Sequence, residues 1–387
     1  MTVSARNPQG RIPRRGFLAG IGLVALALAG CQTRGPAPVR PTGPPPPVQG
    51  NNGEVRNRVA VIVPLTGDDG AVGQAIANAA NLALLDSGDK SLRLTIYNSA
   101  GPGGAAAATS KAIGDGSRLI LGPLLADEVR AAAPVAREAG VPVIAFSNDE
   151  GVAGNGVYIL GFTPNQSIGR VVDLARKRGL TRFAALVPQG LYGQRAAQAM
   201  LGAVQDSGGR MVALQTFSRT GAGVRASAAS LNAKGTVDAV LIGDSGRIAA
   251  VAAPVLRSGQ QLLGTELWTS DRGLGTTPAL RGAWYAAVPD TRFNQLAVRY
   301  RTRYGNSPVR IASLGYDAVL LAVRSGRDWP IAERFPARAL ADRDGFAGVD
   351  GIFRFDRRGI AQRALEVRRV TATGTTILSP AETKFSE

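Results

Sequence analysis

One repeating unit constrains the fold of this chain more than any other feature of its sequence. The unit first appears at residues 59–63, a run of small and β-branched apolar residues that is typical of a strand buried on both faces of a parallel sheet. A loop rich in glycine and aspartate follows. Beyond it, Ile76, Ala80, Ala83 and Leu84 recur at the spacing of a helix with one apolar face. This stretch predicts one β-α unit.

The same unit recurs in two series along the 387-residue chain. The strand-like runs of the two series begin near Val59, Leu92, Leu119 and Val143, and then near Phe183, Met211, Ala239 and Leu262. Successive runs are separated by about the length of a β-α-β crossover, roughly 30 residues. Because the chain is long enough for two domain-sized cores, we predict an α/β fold of two Rossmann-like lobes with parallel sheets.

The last third of the chain departs from this rhythm. Residues 290–304 and 311–327 predict two helices, whereas residues 351–356 and 365–370 predict two strands. A late pair of helices followed by edge strands indicates that the chain returns to the first lobe and then finishes on the second.

Residues 1–31 predict an export signal rather than part of the fold. Arginines without any acidic residue precede a mostly apolar run at 16–28, which is too short to span a bilayer permanently. Arg14 and Arg15 resemble the paired arginines of the twin-arginine export motif. This resemblance implies translocation of a folded protein.

The end of that segment resembles a lipobox, the signal for attaching lipid to a cysteine. Residues 28–31 read Leu-Ala-Gly-Cys, so we expect Cys31 to become the lipidated first residue of the mature protein. Cys31 is the only cysteine, so no internal disulfide can form. The alternative is a chance cysteine after a hydrophobic run. Gln32 resembles the residue that directs lipoproteins to the outer membrane, and the proline-rich residues 32–57 predict an extended tether in the periplasm.

Three segments resemble catalytic or cofactor-binding motifs, but the sequence around each one argues against that function. Residues 243–246 resemble a protease nucleophile segment, but the chain has no histidine for a Ser-His-Asp triad. Residues 87–90 have Ser-x-x-Lys spacing, yet they lie at a predicted helix end rather than a helix start. Residues 101–104 lack the third glycine of a dinucleotide fingerprint. We therefore predict no enzyme activity, no cofactor and no metal site.

The formal net charge of +17 favours acidic partners. A nucleic-acid function is excluded because the arginines are scattered, no binding motif is present and the expected compartment is wrong. A composition bias of the genome explains the excess of arginine over lysine equally well.

Several short motifs resemble the type I periplasmic binding proteins of the Leu/Ile/Val-binding kind. They are residues 59–67, 119–125, 141–149, 313–319 and 345–359. Segments 146–149 with 152–154, 282–285 and 377–380 further resemble the penicillin-binding protein activators, a lipoprotein branch of this family. The resemblance implies a bilobed fold with a three-crossing hinge over a cleft. It places lobe one at 58–162 plus 288–345, and lobe two at 163–287 plus 346–387.

The resemblance also implies ligand-contacting residues in the loops after the strands. By position these are Ser147 and Asn148 in lobe one and Tyr192 and Asp244 in lobe two, whereas Ala126 stands where relatives carry a serine. Loop hydrogen bonding explains Ser147 and Asn148 equally well, and Asp244 is also a candidate N-cap for a helix near residue 248.

Two functions remain from these observations. The first is a non-catalytic lipoprotein that regulates peptidoglycan synthesis by contacting a peptidoglycan synthase, a penicillin-binding protein. The second is a substrate-binding receptor that takes a branched-chain or other amino acid, or a similar small polar ligand, to an ABC permease. Gln32, the tether and Ala126 favour the first, whereas the cleft architecture and Tyr192 favour the second.

Overall fold

The computed structural model describes residues 56–385, and its first five strands form one parallel sheet. The strands are β1 (Asn57–Val63), β2 (Leu92–Asn98), β3 (Ser117–Leu121), β4 (Val143–Ala145) and β5 (Val157–Ile159) in the order β2-β1-β3-β4-β5. The helices α1 (Gly70–Ser87), α2 (Gly104–Gly114) and α3 (Ala126–Glu138) connect them. The side chains of residues 59–63 are fully buried, as expected for a strand covered on both faces.

A second sheet follows, and it is parallel except at one edge. Its strands are β6 (Arg182–Pro188), β7 (Arg210–Phe217), β8 (Ala239–Ile242), β9 (Gln261–Gly264), β10 (Trp284–Ala287), β14 (Glu366–Val370) and β15 (Thr375–Ser379), in the order β15-β14-β10-β9-β8-β6-β7. The last two strands, β14 and β15, run antiparallel to their neighbours. The accompanying helices are α4 (Pro164–Lys177), α5 (Leu191–Asp206), α6 (Gly221–Asn232) and α7 (Gly246–Ala252). The predicted α/β fold with parallel sheets is confirmed.

The late helices pack on the first sheet, as the sequence predicted. They are α8 (Thr291–Tyr304) and α9 (Ser313–Ser325). Leu296 of α8 and Leu314 of α9 join the same buried core as Val61 of β1 and Ile76 of α1. The chain therefore returns to the first lobe after β10.

A small antiparallel sheet also belongs to the first core. Its strands are β11 (Phe346–Gly348), β12 (Gly351–Phe355) and β13 (Ala361–Arg363). Phe346 and Phe353 pack in the core of the first lobe, whereas Leu365 packs in that of the second. We therefore propose that the last crossing lies near residue 364 rather than at the predicted boundary of 345.

We propose that the chain passes between the lobes near residues 160–163, 288–290 and 364–365. Arginine side chains link the segments around these positions. Arg310 pairs with Asp290 at 2.6 Å, and Arg368 holds the other oxygen of the same carboxylate at 2.6 Å. Arg363 donates to the carbonyl of Leu160 at 2.7 Å. The three crossings thus form one hydrogen-bonded hinge.

Among residues 56–385, no helix has the length and apolar character needed to cross a membrane. The same part of the chain contains no cluster of three or more metal-ligating side chains.

Candidate ligand-binding cleft

A cavity of about 400 Å³ opens between the lobes, at the ends of the parallel strands where loops lead into helices. Its apolar walls come from both lobes: Val72, Leu124, Leu125, Phe146, Val309 and Ile311 on one side, and Phe162, Leu267 and Val288 on the other. The volume lies in the range that holds one small molecule. A ligand in this cavity would therefore meet a mostly hydrophobic surface.

Glu266 is the acidic group that the second lobe places on this wall. It begins the short 3-10 helix Glu266–Ser270, directly after β9, so the end of the strand directs it toward the cleft. Its Oε2 atom is closed off from solvent and has no hydrogen-bond partner among the described residues. A buried carboxylate without a counter-charge is costly in its ionised form.

Because its charged form is costly to bury, the Glu266 carboxyl group is a weaker acid than an exposed glutamate. Burial raises the pKa of Glu266 to about 7, and the neighbouring Ser167 hydroxyl opposes only part of the rise. The group therefore holds its proton to a higher pH than an exposed glutamate does. A cation entering the cleft would favour the charged form and replace the missing partner.

Tyr192 and Asp244 lie in the same region of the second lobe as Glu266. The Tyr192 hydroxyl is closed off from solvent and unpartnered, and burial together with the Glu266 and Asp244 carboxylates raises the pKa of this phenol. Asp244 is itself paired, because its Oδ2 accepts a hydrogen bond from Arg219 Nε at 2.7 Å. Tyr192 and Asp244 do not line the cleft, whereas Glu266 of the second lobe and Asp69 of the first lobe do.

An ion pair joins the two lobes at the rim of the cleft. Asp149, in the loop after β4, is 2% exposed and accepts from Arg195 Nε of α5 at 2.8 Å. Its other oxygen meets Arg130 of α3, which belongs to its own lobe, at 2.5 Å. The Arg195 guanidinium covers Gly151, where a Cβ atom would stand 2.4 Å from Nη2. Asp149 thus pairs with one arginine of its own lobe and with one arginine of the other lobe.

A family model described as periplasmic binding protein matches residues 57–375. The chain belongs to the periplasmic binding protein family. Members of this family are typically non-catalytic ligand binders, and the family implies a periplasmic location.

Solved structures share the fold of this periplasmic binding protein at low sequence identity. A leucine-binding protein of Thermotoga maritima is 20% identical, with a TM-score of 0.63 over 84% of this chain and 99% of its own. A putative branched-chain amino acid ABC transporter protein of Rhodospirillum rubrum is 22% identical, with a TM-score of 0.71 over 84% of this chain and 100% of its own. A solute-binding protein of R. palustris in complex with benzoate is 20% identical, with a TM-score of 0.64 over 86% and 98%.

One curated relative matches only part of the chain. It is an uncharacterised protein of Rickettsia prowazekii, 25% identical over 142 residues, which are 37% of this chain and 38% of the relative. The chain thus matches little more than a third of that relative's length.

Only some of the site residues predicted from the sequence line the cleft. Asn148 is exposed and lines the cleft. Ser147 is buried, and its hydroxyl accepts from the backbone N–H of Asp149 at 3.1 Å, within its own loop. The alternative interpretation of Asp244 as an N-cap is wrong, because Ser245 caps α7 by accepting from the Ile248 N–H. The predicted roles of Cys31, Arg14 and Arg15 lie outside the described residues.

Sequence reasoning missed two residues that define this site. Glu266 follows a predicted strand, so the rule that selected Asp244 could also have selected it, but burial of its carboxylate cannot be read from the sequence. Asp149 stands in the recognised segment 146–149, yet its partner Arg195 is distant along the chain and only the fold brings them together.

Proposed function

We propose that this protein is a solute-binding receptor whose cleft takes a small ligand with an ammonium group on an apolar body, for delivery to an ABC permease. An apolar amino acid or the corresponding amine fits this description. One observation carries the proposal: the Glu266 carboxylate, whose Oε2 atom has no hydrogen-bond partner among the described residues, lies on the wall of a mostly apolar interlobe cavity that Asp69, Asn148 and Arg310 also line.

Each part of the cavity lacks an interaction that such a ligand would supply. Glu266 lacks a cation, and an ammonium group supplies both charge and hydrogen-bond donors. Burying the hydrocarbon part of a ligand against the apolar walls stabilises the complex by about 25 cal/mol per Å² of surface removed from water. Ala126 offers no hydroxyl for a ligand carboxylate, so amines without a carboxylate belong to the same candidate class.

The proteins of similar fold support the transport function. The Thermotoga and Rhodospirillum structures are described as a leucine-binding protein and a branched-chain amino acid transporter protein. Their sequence identities support only the fold, so the ligand class here rests on the cleft itself.

A thermal-shift screen of the purified protein at pH 8 tests this function. The panel contains leucine, isoleucine, valine and phenylalanine, together with isoamylamine and phenethylamine. A ligand present at a thousand times its Kd adds about 4 kcal/mol to the free energy of unfolding, so at least one compound should raise the melting temperature clearly. A panel without any shift would contradict the proposed ligand class.

Regulation of a peptidoglycan synthase is the second candidate, and one contact favours it. The segment 146–149 that resembles penicillin-binding protein activators supplies Asp149, which joins the lobes through Arg195. A protein that holds its own lobes together presents one fixed surface to a partner. A purified synthase whose polymerisation rate rises on addition of this protein, and stays unchanged with the amines above, would support this function over transport.

We further propose that the protein is lipid-anchored at Cys31, reaches the periplasm through the Arg14-Arg15 signal and resides at the outer membrane. Cys31→Ser should release the protein into the soluble periplasmic fraction, because a single change removes the acylated residue. Immunoblots of carbonate-washed membranes measure this. A variant that stays in the washed membrane would contradict the anchor.

A further inference from the structure

A tight loop between α9 and β11 presents an apolar tip at the end of the first lobe that lies opposite the cleft. The tip is formed by residues 330–332, Pro-Ile-Ala, which are all exposed. Ile331 is 52% exposed and is one of the large hydrophobic side chains most open to solvent in the described chain. An isoleucine in this position contributes little to the core.

Buried polar contacts fix the shape of this loop. Asn57, at the start of β1, is 3% exposed, and its side chain donates to the carbonyl of Trp329 at 2.9 Å. The same side chain accepts from the N–H of Ala332 at 3.1 Å. Trp329 Nε1 closes the loop by donating to the carbonyl of Glu333 at 3.0 Å. The loop is therefore built into the body of the lobe.

Ala332 shows that this shape is maintained at a cost. Its φ angle is +65°, in the left-handed region that non-glycine residues rarely adopt. Strained backbone persists where the surrounding structure holds it in place, and it is concentrated at functional positions. Here the bond from Ala332 to Asn57 holds the strained residue and leaves Ile331 pointing outward into solvent.

The loop lies where the N-terminal segment of the chain joins the described structure. Asn57 is the first residue of β1, and it is the same residue that holds the loop. Residues 32–57 connect this point to Cys31. If Cys31 is anchored in a membrane, this end of the lobe is therefore the part of the described structure nearest to the anchor along the chain.

Charged side chains of both signs lie beside the apolar tip, and the exposed acids Asp328 and Glu333 are among them. Arg327 and Arg334 flank it along the chain and are exposed, and the Arg334 guanidinium lies over the Gly140 turn. Beside the loop, hollows of about 400 and 350 Å³ are lined by Arg324, Arg327 and Arg338 and also by Asp328 and Asp342. Asp342 pairs with Arg324 at 2.9 Å. Arg327, Arg334 and Arg338 outnumber the neighbouring acids Asp328 and Glu333. An exposed aliphatic side chain beside an excess of arginine is the chemistry of a surface that inserts among lipid headgroups.

We propose that this tip docks the first lobe onto an anionic phospholipid surface. Ile331 enters the headgroup layer, and Arg327, Arg334 and Arg338 meet the lipid phosphates. The orientation rests on the proposed anchor at Cys31 and is independent of any ligand in the cleft. Docking would hold the lobe against the bilayer to which its tether is attached, with the cleft on the far side.

Vesicle co-sedimentation tests this proposal. The protein tested is the mature chain carrying Cys31→Ser, which has no attached lipid. Its binding to vesicles therefore reports the loop alone and does not depend on whether Cys31 is lipidated in the cell. We expect it to sediment with vesicles containing phosphatidylglycerol, much less with pure phosphatidylcholine, and less as salt rises and screens the arginines. Ile331→Glu should reduce the bound fraction about tenfold.

Ile377→Glu is the matched control, because Ile377 is 61% exposed on β15 of the other lobe. It should leave vesicle binding unchanged. The triple change Arg327→Gln, Arg334→Gln and Arg338→Gln should abolish the preference for anionic vesicles, and unchanged circular dichroism should show that each variant folds. Equal binding by the Ile331→Glu and Ile377→Glu variants, or no binding to anionic vesicles by the parent protein, would overturn the proposal.

Discussion

Replacing Glu266 with glutamine should stabilise the ligand-free protein at pH 8 while removing its ability to bind ammonium ligands. The pKa of Glu266 is raised from 4.5 to about 7 by burial, so the folded state binds this proton more tightly than the unfolded state does. Stability contributed by the protonated form is therefore complete below about pH 4.5 and is lost as the pH rises to 7. Glutamine keeps the shape without the charge, and we expect a gain of about 3 kcal/mol at pH 8.

Denaturant titrations at pH 5 and pH 8 measure this effect. Glu138→Gln is the matched control, because Glu138 is exposed at the end of α3 and should leave stability unchanged at both pH values. Part of the pH dependence should survive in the Glu266→Gln protein, since burial and the Asp350 charge raise the pKa of Asp317 to about 7 as well. A Glu266→Gln protein that is less stable at pH 8 than the parent would contradict a buried, unpaired carboxylate.

Arg195→Ala should open the lobes, whereas Arg130→Ala should not. Both arginines pair with the buried Asp149, but only Arg195 comes from the second lobe. Each change should cost about 1–3 kcal/mol of stability, because it removes one charged hydrogen bond from a buried carboxylate. Only the Arg195 change removes the contact across the cleft rim.

Small-angle scattering of the two variants separates these effects. We expect a larger radius of gyration for Arg195→Ala and an unchanged value for Arg130→Ala, at similar losses of unfolding free energy. The same radius of gyration in both variants would contradict the role of the Asp149–Arg195 contact in holding the lobes together.

The sequence predicted the lobes because buried parallel strands leave a strong pattern. The eight predicted strands of the two series begin within two residues of their observed starts, since continuous apolar runs between glycine-rich turns have few other structural solutions. Five strands of the described chain were not predicted. Strands β5, β11 and β13 have only three residues each, β10 has four, and β15 is a largely exposed edge strand with polar residues.

The cleft was harder to predict than the fold. Asn148 was found because it follows a strand, but the same rule also selected Ser147, whose hydroxyl bonds its own loop. Asp244 and Glu266 both follow strands of the second sheet, and only the fold shows that Arg219 neutralises the first and leaves the second unpaired. Charge pairing across elements depends on tertiary structure, which residue types and spacing do not specify.

Calorimetric titration of leucine and isoamylamine at pH 8 into the parent, Glu266→Gln and Glu138→Gln proteins tests the central claim most directly. We expect at least one of the two compounds to bind the parent and the Glu138→Gln protein equally, and to bind Glu266→Gln about a hundredfold more weakly, since the ammonium then lacks its carboxylate. A ligand that binds the Glu266→Gln protein as tightly as the parent, or the failure of both compounds to bind the parent, would contradict the proposal that Glu266 makes this cleft a site for ammonium ligands.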